Sequence, residues 1–150
     1  MLDYKRKPLR LENYDYSKIG AYFVTVCLQN RGAKYLEKTE TKQMIERWLL
    51  KTEEKFSNVT IDYYVIMKDH VHIIIFINEQ NKTDLALIMD WFKTMTTNEY
   101  IRGVKSGIYE PFEKRFRQRS YNDHIIRNDE DLAEKRQYIL NNPIKESVDA

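Results

Sequence analysis

Two histidines, His70 and His72, stand one residue apart in the apolar run HVHIIIFI, in a chain of 150 residues that holds only three histidines. In an extended strand side chains alternate, so both imidazoles leave one face together with Ile74 and Phe76, while Val71, Ile73, Ile75 and Ile77 leave the other. Two neutral ring nitrogens placed side by side can converge on one divalent cation, with carboxylate, amide or water completing the sphere. A partly filled sphere of that kind can polarise a substrate oxygen. A closed structural zinc site needs four ligands, usually with Cys, and the lone Cys27 is expected far away in a different strand.

The second constellation is YILNNP, Tyr138 to Pro143. On a helix Tyr138 and Asn142 share a face, so a phenol and an amide oxygen could reach the same cation. Pro143 disfavours helical geometry at Asn142, which is therefore expected at the end of the helix. A phenol is almost wholly protonated at neutral pH. As a nucleophile it needs a nearby cation or an electrophile already polarised by metal, and the histidine pair could supply that help.

The elements that must position these groups follow from pattern. AYFVTVCLQN after Gly20 is rich in β-branched and aromatic residues and predicts a strand ending near Gln29. From about Thr41, Met44, Ile45, Trp48, Leu49 and Phe56 recur at helical spacing behind a Thr cap. VTIDYYVIMKDHVHIIIFIN predicts two strands with Lys68 and Asp69 at the turn, and the apolar row of the second strand is expected to meet the helices. Leu85, Leu87, Ile88, Trp91, Phe92, Met95 and Tyr100 predict a helix with an Asn or Thr cap. IYEPFEKRFRQRSYNDHIIR reads as extended, and DEDLAEKRQYILNNP as a helix running to the residue before Pro143, after a short linker at about Asn128 to Asp131. The order predicts an α+β, ferredoxin-like (split βαβ) antiparallel sheet, with helices on one face and a C-terminal helix carrying Tyr138.

The bulk composition narrows the class without naming a partner. The length suits one domain over residues 1–150, with residues 1–19 as a basic arm containing Lys5, Arg6, Lys7 and Arg10. With 25 Lys plus Arg against 23 Asp plus Glu, any nucleic-acid contact must come from local clustering. The single Cys27 reads as a buried hydrophobe in a reducing compartment, and neither a signal peptide nor a membrane-spanning run is visible, so a cytoplasmic protein is expected. Eleven tyrosines offer stacking surface for bases.

Taken together, RLENYDYSKIGAYFVTVCLQNR, YYVIMKDHVHIII, RQRSYNDHIIR and YILNNPIKE resemble the REP-associated tyrosine transposases, relatives of the single-tyrosine HUH insertion-sequence transposases. The resemblance spans roughly residues 9 to 146 and implies a metal-dependent enzyme that cleaves and rejoins single-stranded DNA near hairpins through a covalent 5′-phosphotyrosine. It implies His70 and His72 as metal ligands, Tyr138 as nucleophile, Asn142 as the residue completing coordination, and Mg²⁺ or Mn²⁺ as the metal. Relatives commonly show Pro-Asn where this chain has Lys68-Asp69, and a Trp where it has Arg117; Asp69 could itself interact with the metal. Relatives include dimers that share the tyrosine helix and monomers that do not, so a homodimer stays open.

In EKRFRQRSYNDHIIR, Arg115, Arg117 and Arg119 would share a strand face near Phe116 and Tyr121, with Lys114 and Arg127 alongside. That face suits a groove that follows a DNA backbone. The resemblance implies that Lys5, Arg6, Lys7 and Arg10 could grip the foot of a DNA hairpin, and His124 reads as a structural or phosphate-contacting residue rather than a third ligand. The alternative is a domesticated protein that binds structured single strands without cutting, with aromatic residues stacking bases on an open sheet face. A replication nickase would share the chemistry and differ in biology.

Overall fold

The computed structural model describes residues 20–27, 38–78, 84–111 and 121–149, with side chains through Asn142. Seven elements follow in the order β1 (Gly20–Cys27), α1 (Thr39–Lys55), β2 (Val59–Ile66), β3 (His70–Ile77), α2 (Leu85–Lys105), β4 (Asn122–Ile125) and α3 (Asp129–Asp149). The sheet order is β2-β3-β1-β4 with every neighbouring pair antiparallel. Each helical crossover therefore joins two strands that are separated by a third, which is the split βαβ arrangement the sequence predicts.

Alternation on β3 divides the interior into two cores. Val71, Ile73, Ile75 and Ile77 pack with Val24 and Val26 against Met44, Ile45, Trp48 and Leu49 of α1 and Ile88, Met89 and Phe92 of α2. On the opposite face Ile74 and Phe76 join Ala21, Tyr63 and Val65 beneath Leu132 and Ile139 of α3. A strand buried on both faces must be apolar on both, which accounts for the unbroken HVHIIIFI run. The turn at Met67–Asp69 closes β2 onto β3 with the Met67 amide donating to the His70 carbonyl at 2.8 Å.

Several boundaries differ from expectation. α1 starts at Thr39, and Lys38 at its N-cap offers no side-chain cap bond. α2 is capped by Asp84, whose carboxylate accepts from the Leu87 amide at 2.9 Å, in place of an Asn or Thr. α3 begins at Asp129 behind Asn128, whose side-chain oxygen accepts from the Asp131 amide at 2.8 Å, so most of the supposed linker is its first turn. Nor does α3 stop before Pro143: it continues to Asp149, leaving Asn142 inside the helix. Proline removes one hydrogen bond and crowds the preceding turn, a cost that helix packing can absorb without ending the helix.

Ile139 is fully buried at the centre of the α3 contact. Truncating a side chain in such a place removes transfer energy and leaves a cavity, so Ile139→Ala should lower unfolding free energy by about 2–5 kcal/mol. Leu87, 53 % exposed, provides the control, and Leu87→Ala should change stability by less than about 1 kcal/mol. Denaturant unfolding of the two variants measures both.

Candidate active site

The imidazole face of the sheet is polar at only one end. In the β1–β3 register Thr25 lies opposite His72 and Cys27 opposite His70, with Phe23 opposite Ile74. The two imidazoles sit with centroids 4.7 Å apart and planes inclined by 73°. Cys27 is thus not remote from the pair but directly across from it, because antiparallel pairing folds distant sequence together. The described residues nevertheless include no group of three or more His, Cys, Asp or Glu side chains placed to hold a metal.

Each ring is anchored through Nδ1. His70 Nδ1 lies 2.7 Å from Asp69 Oδ1. An ionised carboxylate can only accept, so Nδ1 carries the proton and the lone pair of the neutral ring sits on Nε2. His72 Nδ1 lies 2.9 Å from Thr25 Oγ1, a hydroxyl able to donate or accept. His72 also stacks on Phe23, with ring centroids 5.2 Å apart and planes 20° from parallel. The two hydrogen bonds engage Nδ1 and leave Nε2 of each ring as the other nitrogen, an orientation that polar partners impose on metal-binding histidines. Asp69, considered above as a metal contact, has its Oδ1 on His70.

α3 delivers the phenol. The Tyr138 ring centroid lies 5.3 Å from that of His72 and 5.8 Å from that of Phe23, edge-on in both cases, and the residue is 47 % exposed. The structure therefore brings Tyr138 beside the imidazole pair within one chain while leaving it open to solvent. One turn on, buried Asn142 donates from Nδ2 to the Tyr138 carbonyl at 3.0 Å. That bond pins the amide nitrogen to the helix, and the amide oxygen is the atom able to coordinate a cation. By chemistry alone, two imidazoles and an amide oxygen are donor types that would suit a divalent cation with positions left for substrate and water.

Two ties hold α3 over this face. Arg136 donates from Nε and a terminal nitrogen to the two oxygens of Asp62 at 2.7 and 2.8 Å, and its guanidinium lies 5.1 Å from the Tyr63 ring centroid. At the other edge of the sheet His124 Nε2 lies 2.8 Å from Asp131 Oδ2, and Lys135 Nζ donates to Asp131 Oδ1 at 3.0 Å. His124 is thus a structural tie between β4 and α3. Arg127 is exposed just beyond β4. Lys5, Arg6, Arg10, Arg115, Arg117 and Arg119 lie outside the described residues. Thr25, Asp62 and Arg136 were not anticipated. An acid within a largely apolar strand and a basic residue two positions before Tyr138 are visible in sequence, but nothing there joins positions 62 and 136.

Burial pushes the Asp62 carboxyl above its ordinary range, against the hydrogen bonds and charge of Arg136, which pull it down. For Asp131 desolvation is again the largest single influence and raises it, but bonds and charge from His124 and Lys135 together outweigh it and hold the carboxyl below its ordinary value.

The chain matches the family model of IS200-like transposases over residues 17–142, and it belongs to that family. It is a tyrosine transposase, an enzyme of DNA transposition. A Haemophilus influenzae protein bearing the name REP-associated tyrosine transposase is 30 % identical over 148 residues, covering 90 % of this chain and 77 % of the relative. The solved structure of a REP-associated tyrosine transposase bound to a REP hairpin superposes with a TM-score of 0.68 at 26 % identity, covering 97 % of this chain and 74 % of that one. A transposase structure from Deinococcus radiodurans shares the fold, with a TM-score of 0.60 at 15 % identity over 91 % of this chain and 97 % of that one. No helix among the described residues is long and apolar enough to cross a membrane.

The lowered carboxyl of Asp131 makes a pH prediction. A depressed acid contributes stability that is complete above its unfolded value, near 3.8, and is lost as pH falls through the lower folded value. Acidification from about pH 5 to pH 3 should therefore lower the melting temperature, and Asp131→Asn should show a smaller loss over the same interval. Thermal melts at a series of pH values compare the two slopes.

Proposed function

We propose that this transposase cleaves and rejoins single-stranded DNA beside a hairpin, with Tyr138 as nucleophile and His70, His72 and Asn142 as ligands of a divalent cation, Mg²⁺ or Mn²⁺. The observation that carries the reading is the placement of the Tyr138 ring next to His72, on a face where both imidazoles are held by Nδ1. A cation bound there would draw charge from a non-bridging phosphate oxygen and so make phosphorus a better electrophile. Everything else falls to the chain's own residues.

Asp69 fixes the tautomer and orientation of His70, and Thr25 with Phe23 fixes the orientation of His72. Asn142, tied to the carbonyl of Tyr138, moves with the same turn of helix as the phenol. In the reaction the phenol oxygen gives up its proton and bonds to phosphorus in line with the departing 3′-oxygen. The P–O3′ bond breaks, the 3′-oxygen takes up a proton, and DNA remains joined through its 5′-phosphate to Tyr138. A 3′-hydroxyl attacking that phosphotyrosine reverses the step and rejoins strands. Exposure of Tyr138 gives a strand access to the phenol.

The hairpin held by the solved relative supports a hairpin as the structured DNA bound by this chain. Lys5, Arg6, Arg10, Arg115, Arg117, Arg119 and Arg127 are the proposed backbone contacts, since phosphate neutralisation by Lys and Arg dominates such binding. The proximity of the phenol to the imidazoles within one chain supports a centre built in cis. A DNA substrate supports a cytoplasmic location.

Incubating the protein with a 5′-extended hairpin oligonucleotide and Mn²⁺ should give a denaturation-resistant protein–DNA adduct that EDTA prevents. Tyr138→Phe should abolish it; an undiminished adduct in that variant, or none with wild type, removes the assignment. Asp69→Ala should weaken Mn²⁺ binding by roughly 10–100-fold, the usual effect of losing an outer-shell partner. A Mn²⁺ titration followed by electron paramagnetic resonance measures that without reference to catalysis.

A further inference from the structure

β2 departs from regular pairing where α3 crosses it. Ile61 faces Ile75 and Tyr64 faces Ile73, so three steps on β2 span two on β3 and one extra residue is accommodated at Asp62–Tyr63. A bulge bends the strand and can send consecutive side chains to one face. Ile61 packs in the α1/α2 core and Tyr64 hydroxyl donates to Glu46 of α1, whereas Tyr63 lies in the α3 core and Asp62 meets Arg136 of α3. The bulge therefore presents a carboxylate, 1 % exposed, and an aromatic ring together to a single arginine.

We propose that Asp62 and Arg136 are positioning residues for strand cleavage, setting the rotation of α3 about its axis so that Tyr138 faces the imidazole pair. The inference rests on Tyr138 being the nucleophile. Leu132 and Ile139, seven residues apart on one side of α3, seat the helix in the core. Apolar burial is non-directional and fixes depth better than rotation. A two-bond guanidinium–carboxylate fork is directional in distance and plane. Arg136 and Tyr138, separated by about 200° at 3.6 residues per turn, lie on opposite flanks of that seat. Pinning one flank to β2 fixes how far the other reaches across β3 and β1.

The lever is sensitive. At a side-chain radius of about 5–6 Å, a roll of roughly 20° moves the flank of the helix by about 2 Å. A misplacement of about 1 Å can cost 100-fold in rate. Burial of the carboxylate also works against its ionised form, so the pair is poorly explained as a source of stability and better as a source of specificity. The His124–Asp131 contact ties the first turn of α3 to the other edge strand but is half exposed, and so constrains rotation less.

The test is Arg136→Lys in the full chain, which keeps the charge and loses the fork. If that variant is poorly folded, the neutral, shape-preserving pair Asp62→Asn with Arg136→Gln takes its place. Three quantities are measured: the single-turnover rate of adduct formation at saturating hairpin oligonucleotide and Mn²⁺, the affinities for each, and NMR through-space contacts between the Tyr138 ring and those of Phe23 and His72. The expected result is a rate at least tenfold slower with both affinities within twofold of wild type and weakened ring contacts. A rate within twofold of wild type with intact ring contacts overturns the proposal, as does a slower rate fully accounted for by weaker Mn²⁺ or hairpin binding. Lost ring contacts with an unchanged rate would uphold the positioning and overturn Tyr138 as nucleophile, which separates the two failures.

Discussion

The seating of α3 on the imidazole face of the sheet is the contact from which the site follows. That face changes character along β3, from His70 and His72 at one end to the fully buried Ile74 and Phe76 at the other. Burying side chains such as Leu132 and Ile139 contributes about 1.5–3 kcal/mol each, whereas desolvation offsets much of what a buried ion pair such as Arg136–Asp62 gains. The apolar end therefore gives the helix a reason to lie there, and the polar ties decide its orientation. Tyr138 directly precedes Ile139, so a helix anchored by the isoleucine carries the phenol to the boundary beside His72. Without the apolar floor, no placement of histidines would bring a tyrosine from the far end of the chain to meet them.

What could be read in the sequence was what depends on local periodicity. The alternation around His70 and His72 fixes their common face, and the spacing of Tyr138 and Asn142 fixes theirs; both survive in the structure. The element order also survives, because β-branched runs and amphipathic stretches differ clearly in this chain. Contacts closed by tertiary pairing were illegible. Thr25 reaches His72 only through the β1–β3 register, and Asp62 reaches Arg136 only because a bulge turns it toward a helix 74 positions later. Cys27 was misplaced for the same reason. At Pro143 a local rule was overridden, since packing can sustain a helix through a residue that propensity would use to end it.

The fold alone says little about chemistry. The Deinococcus radiodurans structure shares it at 15 % identity, and sheets of this kind with covering helices serve unrelated tasks. A protein that only held single strands would want exposed aromatic residues on an open sheet face. Here that face is closed by α3, and of the rings lying on it, Phe23 is stacked on His72 and Tyr63 lies against Arg136. The aromatic surface is committed to holding the polar cluster in shape, which argues for a reaction centre more than for a stacking platform.

The two histidines are held unequally, and the inequality suits an anionic substrate. His70 has a carboxylate behind it, which fixes its tautomer, while His72 has a neutral hydroxyl that accommodates either tautomer. In the proposed set the negative charge of Asp69 sits one ring away and all direct ligands are neutral. A divalent cation held by two imidazoles and an amide would keep its full formal charge toward the phosphodiester, whereas carboxylate ligands would cancel part of it before the substrate arrived. In that arrangement a carboxylate behind the ring would orient His70 while weakening the field on phosphorus less than a directly bound carboxylate would.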